Sequence, residues 1–211
     1  YFLNSSSRLP HELSITVKLN GTFVFSSIEF IDSLKSFGLW YDTDINSIGS
    51  QKVMKKISGN IWDFHSEKKW IVITTNIGWK KDGSNPMGAG IAKTAAYIAE
   101  DLPMWYGKRC QKFGEKTAVC IYKSDRFILF PTKGLNEDQP WMSWQAESSI
   151  DLIVRSTRQL AELVKISSKI IAGDVYLPYV GCENGGRSKK EILPILEAYL
   201  DDRFVLVDRS F

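Results

Sequence analysis

From residue 53 onward, short apolar runs alternate with segments of helical period. Trp70-Ile71-Val72-Ile73-Thr74-Thr75 is almost unbroken apolar and β-branched, the pattern of a central strand covered on both faces. Val53–Ile57, Ala118–Tyr122, Arg126–Phe130, Val175–Val180 and Phe204–Val207 are further strand candidates, each short and bounded by polar or turn residues. Apolar residues at helical spacing predict helices over about Ile91–Glu100, Pro103–Phe113, Ala146–Ile166 and Lys189–Leu200. Strands that alternate with helices in this way predict an α/β sheet with helices on both faces. Ligands of such sheets bind beyond the carboxyl ends of the strands, so the strand-to-helix loops are where chemistry is expected.

The first fifty residues follow a different pattern. Leu13 to Phe25 alternates polar and apolar positions around Asn20-Gly21, which predicts a hairpin with a type I′ turn. Ser26-Ser27-Ile28-Glu29 offers a capping box, and Ile28, Ile31, Leu34 and Phe37 share one helical face before Gly38 stops the run. A turn-rich stretch, Asp42 to Ser50, follows. Residues 1–52 are therefore expected to form a hairpin-and-helix appendage, and residues 53–211 the main domain. The first part carries a net charge of −1 and the second +4.

Composition narrows the class. With 44% hydrophobic and 24% charged residues in 211, the chain is neither disordered nor a disulfide-stapled miniprotein. A net charge of +3 does not mark a dedicated nucleic-acid binder, and it leaves an anionic small ligand open. Cys110, Cys120 and Cys182 are odd in number, lack CxxC spacing and have no histidine cluster beside them, which fits a reducing compartment and no bound metal. No apolar window approaches a membrane span and no signal-peptide pattern opens the chain, so a soluble, cytoplasmic protein is expected. His11 and His65 lie far in sequence from the ligand loops and form no catalytic pair.

Two loops stand out. After Asn76 the chain runs Ile77-Gly78-Trp79, then a polar insertion from Lys80 to Asn85, then Pro86-Met87-Gly88-Ala89-Gly90-Ile91-Ala92. Glycines at the mouth of a helix let the backbone approach a ligand and aim N–H groups at it, which suits a phosphate or diphosphate. The second loop, Gly181-Cys182-Glu183-Asn184-Gly185-Gly186-Arg187, follows another strand and is a second candidate anion nest on the same edge of the sheet. Together they suggest a ligand gripped from both sides. Ordinary strand-to-helix turns are the plainer alternative for each.

These residues carry a resemblance. Ile57-Ser58-Gly59-Asn60-Ile61, Val72–Asn76, Met87 to Ala92 and Leu177 to Cys182, in that order and spacing, resemble a macro domain, the ADP-ribose-binding module, over about residues 53–211. Phe130-Pro131-Thr132-Lys133 is similar to the strand end of the branch that holds the terminal ADP-ribose protein glycohydrolase and the antitoxins that remove ADP-ribose from DNA bases. The resemblance implies a three-layer α/β/α fold with a mixed central sheet. It implies that Asn60 and Ile61 lie at the adenine end, where the family usually has Asp. Asn76 would sit by the distal ribose, with Ile73 in place of the family's first asparagine. Gly88, Ala89, Gly90 and Ile91 would form the first phosphate loop, and Gly181, Cys182, Glu183, Asn184, Gly185 and Gly186 the second, with Thr132 also at the ligand.

Lys133 would be the catalytic residue, with Asn76 assisting. A neutral amine can attack the anomeric carbon of ADP-ribose and expel the attached base, and burial favours that neutral form. The protein-directed enzyme's catalytic Asp falls at about Gly185, whereas the DNA-directed antitoxins have glycines there. The modified macromolecule is therefore expected to be nucleic acid, with protein as the second choice. No cofactor is implied, ADP-ribose being ligand and product, and single-stranded nucleic acid is a candidate partner. Glu183 is expected to be a solvated loop carboxylate and Cys182 a partly buried structural thiol. The pairs Lys80-Lys81, Lys108-Arg109 and Lys189-Lys190 are expected on solvated faces. Trp141 and Trp144 could stack on a base, but rings of this size more often cover a sheet edge, and that is the expectation here. Two other functions share the pocket: hydrolysis of ADP-ribose 1″-phosphate, and reading of ADP-ribose without turnover.

Overall fold

The computed structural model describes residues 15–19, 22–26, 53–167 and 175–209. The chain divides into two compact units, Tyr1–Gly49 and Ser50–Phe211. In the first, β1 (Ile15–Leu19) and β2 (Thr22–Ser26) pair antiparallel with Leu19 opposite Thr22, the register that a two-residue Asn20-Gly21 connection requires. The helix expected over Ile28–Phe37 and the turns from Asp42 to Ser50 lie outside the described residues.

The second unit runs β3 (Lys55–Ser58), α1 (Ile61–Ser66), β4 (Trp70–Asn76), α2 (Gly90–Ile98), α3 (Leu102–Phe113), β5 (Cys120–Tyr122), β6 (Phe127–Lys133), α4 (Ile150–Ile166), β7 (Val175–Leu177), α5 (Lys189–Tyr199) and β8 (Phe204–Asp208). Its six strands form one mixed sheet in the order β3-β8-β7-β4-β6-β5, parallel except for the antiparallel edge strand β5. Each inner strand is apolar on both faces, and the pleat divides its side chains between two cores. Val72, Phe130, Leu177 and Leu206 pack with Ile153 and Leu160 of α4 and Ile192 and Leu196 of α5. Ile71, Ile73, Leu129 and Val205 pack with Ala95 of α2 and Leu102 and Tyr106 of α3. The result is the expected three-layer α/β/α arrangement.

The differences from the sequence reading are local and have physical causes. Helix α1 spans under two turns, has no fully buried residue and rests on an Asn60 cap, too little for a periodic signal. Helix α4 begins at Ile150 rather than Ala146, because the Ser149 side chain caps it by accepting from Leu152 N. β7 ends at Leu177, just before Pro178. β6 extends through Pro131 to Lys133. Proline is tolerated because β5 pairs only with Phe127–Leu129, so Pro131 lies past the end of that neighbour, and its carbonyl accepts from Ser156 Oγ at 2.8 Å.

Leu160 is fully buried where α4 meets the sheet. Leu160→Ala is expected to destabilise the fold by about 2–5 kcal/mol, read as a lower denaturant midpoint with an unchanged slope.

Candidate functional site

The carboxyl ends of β4, β6, β7 and β8 open onto a cleft of about 830 Å³, the size range of small-molecule sites. Two asparagines organise its floor. Asn76, the last residue of β4, accepts from Gly78 N at 2.9 Å through Oδ1 and donates to Pro86 O at 3.2 Å through Nδ2. Asn85, 1% exposed, donates to the carbonyls of Gly78 and Asn76 at 2.8 and 3.0 Å. The polar insertion between strand and helix is thereby folded back onto the strand end. Beneath it, Thr75 donates to the buried Tyr106 hydroxyl at 2.9 Å.

That fold-back sets the first residues of α2 at the cleft. Ala89 occupies the N-cap in an extended conformation, has no side chain that could cap, and no acid stands in the first turn. The leading N–H groups of a helix have no partner within it. Among the described residues no side chain supplies one here, and Gly88, Ala89 and Gly90 are exposed. Helix α5 differs: Ser188 and Glu191 close a complete capping box. The free positive helix end that faces the cleft belongs to α2.

The second loop lies opposite. Gly181 adopts φ +75°, and a Cβ there would stand 2.5 Å from Ile153 Cδ1, so both backbone and packing require glycine. The loop turns through Cys182 N to Tyr179 O and Gly185 N to Cys182 O, and Ser148 N ties it down by donating to Gly185 O at 2.8 Å. A Cβ on Gly185 would meet Ser148 Oγ at 2.5 Å. Asn184 reaches across to the first loop, where a Cβ on Gly90 would come within 3.2 Å of its Nδ2. Cys182 is partly buried, and burial raises its thiol above the ordinary value, so it is a poor nucleophile at neutral pH.

Lys133 stands between the two. As the last residue of β6 it pairs in register with Asn76, across an irregularity at Thr75/Asn76. Its Nζ donates to Trp144 O at 2.7 Å and Asn184 O at 2.8 Å, and among the described residues it has no carboxylate within ion-pair distance. Desolvation lowers the ammonium below its ordinary pKa. The arrangement can hold an anion against helix α2 and present an amine to whatever lies beside it.

Of the residues named from sequence, Asn76, Gly88, Ala89, Gly90, Ile91, Thr132, Lys133, Gly181, Cys182, Glu183, Asn184 and Gly185 all line this cleft. Asn60, Ile61 and Gly186 do not. Asn60 is exposed and spends its side chain on α1, accepting from Trp62 N and donating to Asp63. Ile61 packs against the core below, and Gly186 turns outward at φ +76° against Glu147. Glu183 is exposed, as expected. Trp141 and Trp144 are 42% and 49% exposed, which corrects the expectation that both cover the sheet edge. Lys80 and Lys189 line the cleft, and Lys189 pairs with Asp208 there. Sequence reasoning missed Asn85, Ser148, Tyr179 and Asp208. Asn85 had one signal, an amide beside Pro86 in a loop before a helix; the others are ordinary residues brought in by tertiary packing. Among the described residues no cluster of three or more His, Cys, Asp or Glu could hold a metal, and no helix is long and apolar enough to cross a membrane.

Gly181→Ala is expected to cost roughly 1–3 kcal/mol, through overpacking against Ile153 and a left-handed alanine. Thermal melting would show it, and an unchanged midpoint would contradict the packing just described.

No protein-family model and no curated protein matches the sequence. Solved structures do match the fold. The macrodomain of Mycobacterium tuberculosis DarG superposes with a TM-score of 0.56 at 19% identity, covering 75% of this chain and 99% of that one. The macrodomain of Thermus aquaticus DarG gives 0.57 at 19% identity over 74% and 98%. Thermosipho africanus DarTG in complex with ADP-ribose gives 0.50 at 22% identity over 66% of this chain and 37% of that one. The mixed six-stranded sheet, the helices on both its faces and the cleft at its strand ends are those of the macrodomain fold.

Proposed function

We propose that this macrodomain recognises ADP-ribose and hydrolyses its bond to a modified nucleic acid, with Lys133 as the catalytic amine. The observation that carries the reading is the setting of Lys133: a partly desolvated amine without a carboxylate partner among the described residues, at a strand end between two loops suited to a diphosphate. In this reading the diphosphate lies against the free N–H groups of α2, where backbone donors and the helix dipole stabilise negative charge. The Gly181–Gly186 loop closes over it, and the distal ribose projects toward Lys133. Asn76 acts through the loop it holds, since its amide is already bonded to Gly78 and Pro86.

The chemistry then follows from the amine. The Nζ lone pair forms a bond to the anomeric carbon as the bond to the base breaks. The base departs with the electron pair and gains a proton. Water hydrolyses the sugar–lysine adduct, releasing ADP-ribose and restoring the amine. No cofactor enters. Two features favour nucleic acid over a protein carboxylate ester as substrate. Gly185 stands where the protein-directed relatives of the resemblance carry Asp, and Ser148 Oγ leaves no room there for a side chain.

Calorimetry should find ADP-ribose binding, and the wild-type protein should release ADP-ribose from an ADP-ribosylated single-stranded oligonucleotide. Lys133→Ala is expected to abolish release while keeping ADP-ribose affinity within about tenfold, roughly 1.4 kcal/mol. Wild-type turnover in that variant would refute the lysine role; binding without any release would make the protein a reader. If neutral Lys133 is the reactive form, kcat/KM rises with pH through its titration. Because burial lowers that titration from 10.5, the rise should begin below the range of an ordinary lysine, and Lys133→Arg, always protonated, should not rescue it.

A further inference from the structure

The wall of the cleft beside Lys133 is made by the loop that carries Trp144. The backbone carbonyl of Trp144 accepts from Lys133 Nζ at 2.7 Å, and Trp144 is itself among the residues that line the cleft, next to the amine. Trp144 is 49% exposed, and among the described residues its ring joins no aromatic pair and no cation lies over it. An indole left half in water forgoes much of the transfer free energy that such a side chain gains on burial. The loop beneath is well tied. Ser143, 1% exposed, accepts from Asn136 N at 3.0 Å and donates to Pro140 O at 2.8 Å through the same hydroxyl, and Gln145 N closes the turn onto Met142 O at 2.9 Å. Trp144 is therefore carried on an anchored support.

We infer that Trp144 is the specificity-determining residue for the leaving group: its ring stacks on the nucleobase that carries ADP-ribose, so that the site selects a planar acceptor in a single strand. This rests on the function proposed above and extends it from the sugar to what is attached to the sugar. A flat π-face explains why a large ring can stand unpartnered at the reacting end of the cleft, whereas a carboxylate acceptor on a protein side chain would gain nothing from it. Base–aromatic stacking needs an unpaired base, and it tolerates any base because each has a π-face.

The test separates stacking from catalysis by working with protein that cannot turn over. In the Lys133→Ala background, affinities are measured for free ADP-ribose and for a short single-stranded DNA carrying ADP-ribose on one base. The modified DNA is expected to bind at least tenfold more tightly than ADP-ribose. Adding Trp144→Ala should remove that gain and leave ADP-ribose affinity within about twofold. Trp144→Phe should retain most of the gain, and Trp144→Leu, apolar but without a π-face, should lose it, which a purely structural role would not predict. Equal affinity for the two ligands, a gain that survives Trp144→Ala, or an equal gain for an ADP-ribosylated glutamate peptide overturns the inference. Absence of ADP-ribose binding in the wild-type protein would instead refute the function on which it rests, so the two failures are distinguishable.

Discussion

Everything in the main unit depends on a mixed, mostly parallel sheet that cannot face water on either side. Once Trp70–Asn76 and its neighbours are apolar on both faces, helices must cover both, and the chain must cross from strand to helix at the sheet's ends. The connections at the carboxyl ends then converge, and a cleft opens between them. The cores reach the cleft through a few apolar side chains such as Met87 and Val207, and they supply the placement of β4, β6, β7 and β8 so that their last residues meet.

At those ends the polar groups that the sheet no longer pairs are taken up by side chains. Thr75 meets Tyr106, Thr132 Oγ1 donates to Thr75 O, and Asn76 and Asn85 bind the turning backbone between them. A buried network of this kind fixes a loop more firmly than apolar contact does, because each broken bond would strand a desolvated group. Two buried atoms at the cleft, Asn85 Oδ1 and Ser148 Oγ, have no hydrogen-bond partner among the described residues. They sit where the two loops are most tightly folded, Ser148 against Gly181 and Gly185.

The sheet was legible because its strands carry their burial in their composition: the run from Trp70 to Thr75 admits few other readings. The two glycine loops were legible because glycine is placed by backbone need, and Gly181 shows that need in both φ and packing. Lys133, which lines the cleft, was singled out through a resemblance in Pro131-Thr132-Lys133, since a lysine after a strand carries no local mark of its own. Asn60 and Ile61 were matched by the same route, yet Asn60 is occupied with capping α1, a competition that single positions do not reveal. Ser148, Tyr179 and Asp208 arrive from separate elements with no shared spacing. For Trp141 and Trp144 the general tendency of large rings to be covered gave too strong an expectation, since the two residues are 42% and 49% exposed.

The two bonds that Lys133 makes have a consequence of their own. By reaching both Trp144 O and Asn184 O, the amine acts as a crossbar between the loop after β6 and the loop after β7. Any movement of the amine into the cleft would strain or break at least one of these two bonds. Loop spacing and amine availability are thereby one variable, and a ligand that pries the loops apart would also free the amine.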